Sequence, residues 1–146
     1  MARIKQLESE LGKIRRIEQA ALVEALVKKA TMVDGVKLIA ESVTGQEAGE
    51  LRELALKART SLDQEPAAVV FLGRSDQKAL LVAALTKPLL ARGVTAAGLL
   101  EPAAKALGGS AGGKPDLAMG GGPRTEAADE VLGLVRSRLE ALLGRA

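Results

Sequence analysis

The chain has 146 residues, 47% hydrophobic and 27% charged, with a net charge of +3, which suits one domain with a real core or a compact domain plus an appendage. Histidine and cysteine are absent, and Phe71 is the sole aromatic residue. These absences exclude imidazole bases, thiol nucleophiles, disulfides, zinc sites of the usual kind and an aromatic platform for bases, and so argue against an autonomous hydrolase, a redox enzyme or an aromatic-lined RNA binder.

The charge is concentrated at the start. Residues 1–33 hold Arg3, Lys5, Lys13, Arg15, Arg16, Lys28 and Lys29 against Glu8, Glu10, Glu18 and Glu24, and residues 34–146 sum to zero. An anion site in the body would therefore be a local cluster of cations rather than a global field. Ile4, Leu7, Leu11 and Ile14 are spaced three, four and three apart, a coiled-coil seam, and Ile17, Val23, Leu26, Val27, Ala30 and Val33 continue a broader apolar face. One long helix is expected over residues 2–33, making residues 1–34 an arm and residues 35–146 the globular body. The apolar pattern begins at once with no capping residue before it, as expected of a segment of a longer protein with Met1 placed in front. No apolar run is long enough for a signal peptide or a membrane span, so a cytoplasmic protein is the default expectation.

Asp34-Gly35 is turn punctuation, and VKLIAESV (36–43) reads as a strand. Thr44 and Glu47 form a capping box ahead of a helix reaching Leu62, with Ala48, Leu51, Ala55, Ala58 and Leu62 on one face. AAVVFL (67–72) is wholly apolar, hence a buried strand, and KALLVAAL (78–85) follows a five-residue polar turn as its hairpin partner. Pro88 suits a helix start and Gly93 its end; Thr95 caps another helix, which Pro102 kinks or restarts and Gly108 ends. Residues 108–124 read as a glycine-rich loop. Thr125 caps the last helix, with Glu126, Asp129 and Glu130 in its first turn and Ala128, Val131, Val135, Leu139 and Leu142 on its buried face. The expected fold is α/β, a small sheet flanked by helices in the order β-α-β-β-α-α-loop-α, with a long N-terminal helical arm.

Three chemical motifs fail on inspection. Gly108, Gly113 and Lys114 fit a phosphate loop, but Pro115 stands where the magnesium-binding hydroxyl belongs. Ser75-Asp76-Gln77-Lys78 matches a Ser–Lys pair but lies in a turn without its companion motifs. Asp76, Asp116, Glu126, Asp129 and Glu130 suit turns or a helix start, and no spacing forces two of them together for acid–base work. The segment GGSAGGKPDLAMGGGPR is less ordinary, with glycines at 108, 109, 112, 113, 120, 121 and 122. Glycine is costly in regular structure, so such density implies tight packing against the sheet or a surface where bare backbone meets a flat or anionic ligand. Lys114 and Arg124 bracket it with positive charge.

This segment resembles the signature of the DHH-associated domain family: a glycine run, then Lys114, Pro115, Asp116, Leu117, Ala118 and Met119, and a further run Gly120, Gly121 and Gly122. The upstream VKLIAESV strand, LRELALKAR helix and AAVVFL strand fall in the family's order, so the resemblance covers about residues 36–143. The family closes the C-terminus of alanyl-tRNA synthetases and also accompanies DHH-type phosphoesterases; the preceding helix is similar to the synthetase arm. The resemblance implies a non-catalytic module that holds the elbow of an alanine-specific tRNA and supports aminoacylation and editing by other domains of its parent. It implies self-association through the Ile4, Leu7, Leu11, Ile14 seam. It implies no cofactor in this segment, since ATP, magnesium and zinc belong to other domains in that family, and no membrane partner. Shape reading of RNA needs backbone approach and a few cations, which the surface of Gly108, Gly109, Gly112, Gly113, Gly120, Gly121 and Gly122 rimmed by Lys114 and Arg124 would provide, with Arg74, Lys78, Lys87, Arg92 and Lys105 adding phosphate contacts if they share that face. Two departures stand out. Ser110-Ala111 replaces a Lys-Gly or Gly-Gly pair, removing a charge, and Lys114 replaces the more frequent arginine, keeping the charge but losing the bidentate fork. The alternatives are a purely structural or dimerisation module and the substrate-binding half of a DHH phosphoesterase.

Overall fold

The computed structural model describes residues 21–33, 35–43, 48–62, 64–74 and 78–144. Residues 21–28 are helical (α1). Six strands follow in chain order, β1 (Thr31–Val33), β2 (Val36–Ser42), β3 (Ala67–Arg74), β4 (Ala79–Leu85), β5 (Ser110–Lys114) and β6 (Leu117–Gly122), interleaved with α2 (Ala48–Ser61), α3 (Lys87–Leu90) and α4 (Ala96–Ala106). A 3₁₀ turn (Thr125–Ala127) leads into α5 (Ala128–Gly144). The strands form one sheet in the order β1-β2-β3-β4-β6-β5. Only the β2–β3 pair is parallel, because α2 carries the chain back between them; the other four pairs are antiparallel.

Side chains alternate across the sheet and feed two cores. On one side Leu38, Ala68, Val70, Leu72, Leu81, Ala83 and Leu85 pack with Leu99, Leu100 and Ala103 of α4 and Val131, Val135 and Leu139 of α5. On the other, Ile39, Val69, Phe71, Val82 and Ala84 pack with Leu51, Leu54, Ala55 and Ala58 of α2 and with Val23 and Leu26 of α1. The central strand β3 is buried on both sides, as its unbroken apolar run requires. Among the described residues no helix is long and apolar enough to cross a membrane.

Most expected elements are present, with β2, β3, β4, α2 and α3 close to their anticipated places. The first helix is shorter at its end than its apolar face suggested. It stops at residue 28, and Thr31–Val33 turns into β1, pairing with β2 as Val33↔Val36. The two residues between them are Asp34-Gly35, a strong two-residue hairpin signal, and Gly35 has φ +83°. Val33 consequently joins the α4–α5 core, while Leu26 of α1 lies in the α2 core. The sheet thus begins before residue 35. The Thr44–Glu47 box and the seam Ile4, Leu7, Leu11 and Ile14 lie outside the described residues.

Pro102 neither breaks nor restarts α4, which runs through it. Proline cannot supply the N–H that would bond the Gly98 carbonyl one turn back. Arg138 Nε of α5 donates to that carbonyl instead, at 3.1 Å. Thr95 caps α4 as expected, accepting from the Gly98 N–H. Thr125 sits inside the 3₁₀ turn rather than at the cap of α5.

Candidate nucleic-acid interface

The largest departure from expectation is residues 108–124, which form a β-hairpin and not a loop. Gly108, with φ +84°, ends α4. The Gly108 N–H bonds the Lys105 carbonyl and the Gly109 N–H bonds the Ala104 carbonyl, which together make a Schellman cap. The chain then runs out along β5, turns at Pro115-Asp116 and returns along β6. α4 lies over this hairpin and is bonded to it at both ends. The Ala96 N–H donates to the Pro115 carbonyl at 2.8 Å, and the Arg124 N–H donates to the Leu107 carbonyl at 2.8 Å.

The glycines are what allow this contact. A Cβ on Gly122 would stand 2.2 Å from the Leu107 carbonyl oxygen, and one on Gly109 would stand 1.6 Å from the Gly121 carbonyl oxygen. Gly121 and Gly113 press on the backbone of Ala79 and of Leu117 in the same way. Gly120 is buried, with a would-be Cβ 3.0 Å from Ala111 Cβ and the Ser110 carbonyl oxygen. These five serve packing of main chain on main chain. Gly108 lies beneath the Arg124 side chain. Gly112 differs: it is exposed, its φ is ordinary, and nothing lies within 4 Å of a Cβ placed on it.

The pairing register sorts the hairpin into two faces. Gly113↔Ala118 and Ala111↔Gly120 lie toward α4, where Ala118 and Ala111 join the first core. Lys114↔Leu117, Gly112↔Met119 and Ser110↔Gly121 lie on the α2 side. Leu117, Met119 and Leu80 are only partly buried there. Beside them is a groove of about 570 Å³, walled by Lys78, Leu80, Met119 and the backbone of Gly120, Gly121 and Gly122.

The expected cations fall at two ends of this floor. Lys114 is at the turn end and exposed; Lys87 and Arg92, also exposed, stand on α3 and just after it, and Leu89 of α3 packs into the α4–α5 core on the other side of the sheet. Lys78 is at the other end, where Ala79 pairs with Gly122. The backbone of Arg74 pairs with Ala79, placing it at that end as well. Leu117 stands opposite Lys114 and Gly122 opposite Ala79, the neighbour of Lys78, so the ends are about 17 Å apart along β6 at strand rise. Two expectations change. Arg124 leans on Gly108 beside the α4 cap, so Lys78 rather than Arg124 walls the groove. Lys105 points out along α4 into an ion pair with Glu101 at 3.1 Å. Among the described residues neither Lys114 nor Arg124 has an ion-pair partner.

Asp116 serves the hairpin rather than any acid–base chemistry. Its carbonyl accepts the Leu85 N–H at 2.9 Å, and Arg59 Nη1 of α2 reaches both that carbonyl, at 3.2 Å, and the carboxylate, at 3.3 Å. Sequence reading did not single out Arg59, or Thr86, a buried residue whose hydroxyl accepts the Ala67 N–H at 2.9 Å and donates to the Glu65 carbonyl at 2.6 Å. Ser75, Asp76 and Gln77 lie outside the described residues. Among the described residues no three His, Cys, Asp or Glu side chains gather closely enough to hold a metal ion.

A mixed six-stranded sheet flanked by helices, ending in a glycine hairpin clamped under one of them, defines an α/β domain. The chain belongs to the DHHA1 domain family, which matches residues 35–141. It is 36% identical over 140 residues to the alanine–tRNA ligase of Magnetococcus marinus, covering 96% of this chain and 16% of that protein. It is 36% identical over 146 residues to the alanine–tRNA ligase of Acidothermus cellulolyticus, covering 99% of this chain and again 16% of the relative. Among solved structures, the C-Ala domain from Aquifex aeolicus alanyl-tRNA synthetase is similar with a TM-score of 0.68 and 27% identity, over 77% of this chain and 98% of that one. RecJ from Thermus thermophilus, 18% identical with a TM-score of 0.54 over 94% of this chain and 18% of its own, shares the fold alone. The chain spans about one sixth of the length of these ligases.

Proposed function

We propose that this domain is a tRNA-binding module of an alanine–tRNA ligase, holding the elbow of an alanine-specific tRNA while other domains of the same enzyme carry out aminoacylation and editing in the cytoplasm. The observation that carries the reading is similarity to alanine–tRNA ligases along nearly the whole chain. The open floor supports it physically. RNA shape is read by close backbone approach and a few phosphate contacts, with no need for many aromatic rings. Lys114 at one end and Lys78 at the other provide those contacts.

The test is binding of an alanine-specific tRNA transcript across a salt series. Log affinity falls linearly with log salt, in proportion to the phosphates neutralised. Lys114→Ala combined with Lys78→Ala weakens binding and lowers the slope by roughly one for each cation removed. A hairpin containing the acceptor arm alone binds far more weakly than the whole tRNA. Unchanged affinity in a double variant that melts like wild type refutes the site.

Self-association through the arm is a second part of the reading. It is supported by the three-four-three spacing of Ile4, Leu7, Leu11 and Ile14 in the sequence. Sedimentation shows a dimer that Ile4→Asp with Leu11→Asp converts to monomer; a monomer in both proteins refutes it.

A further inference from the structure

The sheet edge opposite the glycine hairpin is only half covered. The β1–β2 ladder runs from Val33↔Val36 to Thr31↔Leu38 and stops there, because the chain before Thr31 is wound into the turn that ends α1. Backbone groups of a strand point alternately to its two neighbours. The Lys37 N–H bonds the Pro66 carbonyl and the Val43 N–H bonds the Leu72 carbonyl, so the odd-numbered residues from 37 to 43 serve β3. The even-numbered residues face outward, and beyond Leu38 these are Ala40 and Ser42. Among the described residues nothing bonds their outward N–H and C=O groups.

Helix α1 shares the α2-side core with Ile39 and Val43, which leaves this edge approachable from the α5 side. A cavity of about 260 Å³ lies there, bordered by Thr31, Leu38 and Ala40 of the sheet, Gly133 and Arg136 of α5, and Lys29. Glu41 borders it too, although strand alternation assigns its side chain to the α2 face. Gly133 stands within α5, and a Cβ placed on it would meet nothing within 4 Å. Packing does not call for glycine at that point and glycine weakens a helix, but its bareness keeps the cavity open. Lys29 is exposed and has no ion pair among the described residues; Arg136 has only a long, exposed contact of 3.7 Å with Glu140.

An unpaired N–H and C=O on the same residue need an occupant that both accepts and donates. A peptide group does both, whereas a phosphate only accepts and would meet the Ala40 carbonyl and Glu41. The two cations call for a carboxylate. A second copy of this chain is a poor fit, since pairing Ala40 with Ser42 of its twin sets Glu41 opposite its own copy, like charge on like. We propose that the β2 edge beyond Leu38 is a docking slot for an extended acidic segment of a protein partner, which bonds its main chain to Ala40 and Ser42 in line with β1 and sets a carboxylate beside Lys29 and Arg136. The slot is at the far edge of the sheet from the hairpin and on its other face, so the inference stands apart from the tRNA reading.

The experiment is an amide chemical-shift titration of the 146-residue chain with a capped heptapeptide of alternating threonine and aspartate. The Ala40 and Ser42 amides shift and saturate in the millimolar range. Asparagine in place of aspartate weakens binding about tenfold, as does Arg136→Gln in the protein. N-methylation of the aspartates, whose amides face Ala40 and Ser42 when their side chains face α5, abolishes binding, whereas N-methylation of the threonines is tolerated. Gly133→Leu melts no lower than wild type yet binds the peptide more weakly. Absence of a saturable shift at Ala40 and Ser42, or equal binding of the two N-methylated peptides, or full affinity in Arg136→Gln overturns the inference. Shifts of these two amides with alanine-specific tRNA but not with peptide assign the edge to RNA and overturn it as well.

Discussion

Replacing Gly122 with alanine adds one methyl group and unseats the contact between α4 and the hairpin. The new Cβ would lie 2.2 Å from the Leu107 carbonyl oxygen, 2.6 Å from the Gly109 nitrogen and 2.7 Å from the Leu107 carbonyl carbon. An ordinary carbon–oxygen contact is about 3.3 Å, so the helix end and β6 must separate by about 1 Å. All three obstacles are backbone, so no side chain can swing aside. The same movement stretches the 2.8 Å bond from the Arg124 N–H to the Leu107 carbonyl and the 2.9 Å bond from the Gly109 N–H to the Ala104 carbonyl. Overpacking costs about 1–3 kcal/mol, and each weakened bond adds up to about 1 kcal/mol, giving a loss of about 2–4 kcal/mol. At roughly 4 °C per kcal/mol for a chain of this size, Gly122→Ala lowers Tm by about 10 °C. Differential scanning calorimetry of Gly122→Ala beside Gly112→Ala measures this, since the second variant places the same methyl group in open space. Equal melting of the two proteins refutes the assignment of Gly122 to packing of main chain on main chain.

Three further perturbations bear on the rest of the frame. Arg138→Ala leaves the Gly98 carbonyl without its donor and costs about 1–2 kcal/mol; in a Pro102→Ala background, where a helical N–H returns, the cost shrinks, and a double-mutant cycle in urea reads the coupling. Thr86→Val strands the Ala67 N–H inside the molecule and costs about 1–3 kcal/mol by chemical denaturation, well above a surface Thr60→Val control. Arg59→Ala frees the Asp116 turn from α2 at a cost of about 1 kcal/mol and, in hydrogen exchange, speeds the amides of Gly113, Lys114, Asp116 and Leu117 before those of β3.

Where side chains carry the pattern, sequence and structure agree. Val69, Val70 and Phe71 mark β3 because both of its faces are buried, and Leu51, Ala55 and Ala58 mark α2 because one face is. Glycine carries no such pattern. Period-two alternation is invisible in SAGGK and LAMGGG, so a hairpin with perfectly regular pairing reads as a loop. Its strand character comes from α4 above it and β4 beside it, contacts that only the fold supplies. The boundary of α1 was obscured for the opposite reason. Val33 continues a helical stripe, yet Asp34-Gly35 folds it back onto Val36, and local turn chemistry outweighs the stripe. Pro102 misled because its remedy, Arg138, lies 36 residues further along. The glycine-rich segment and the cations that bracket it stood out in the sequence. The division of the glycines between interior and surface was not, because it depends on which atoms lie across from each one.

The bonds at both tips of α4 turn that helix into a ruler. Eleven residues of helix measure about 16 Å, and the six residues of β6 beneath them about 20 Å, so the two elements hold one another to length. Flexing the strand pair would require breaking a bond at Pro115 or at Leu107. The spacing between Lys114 and Lys78 is therefore metered by a rigid rod, and lengthening α4 by one residue would spread the cations or detach the rod, retuning the width of whatever surface this domain can span.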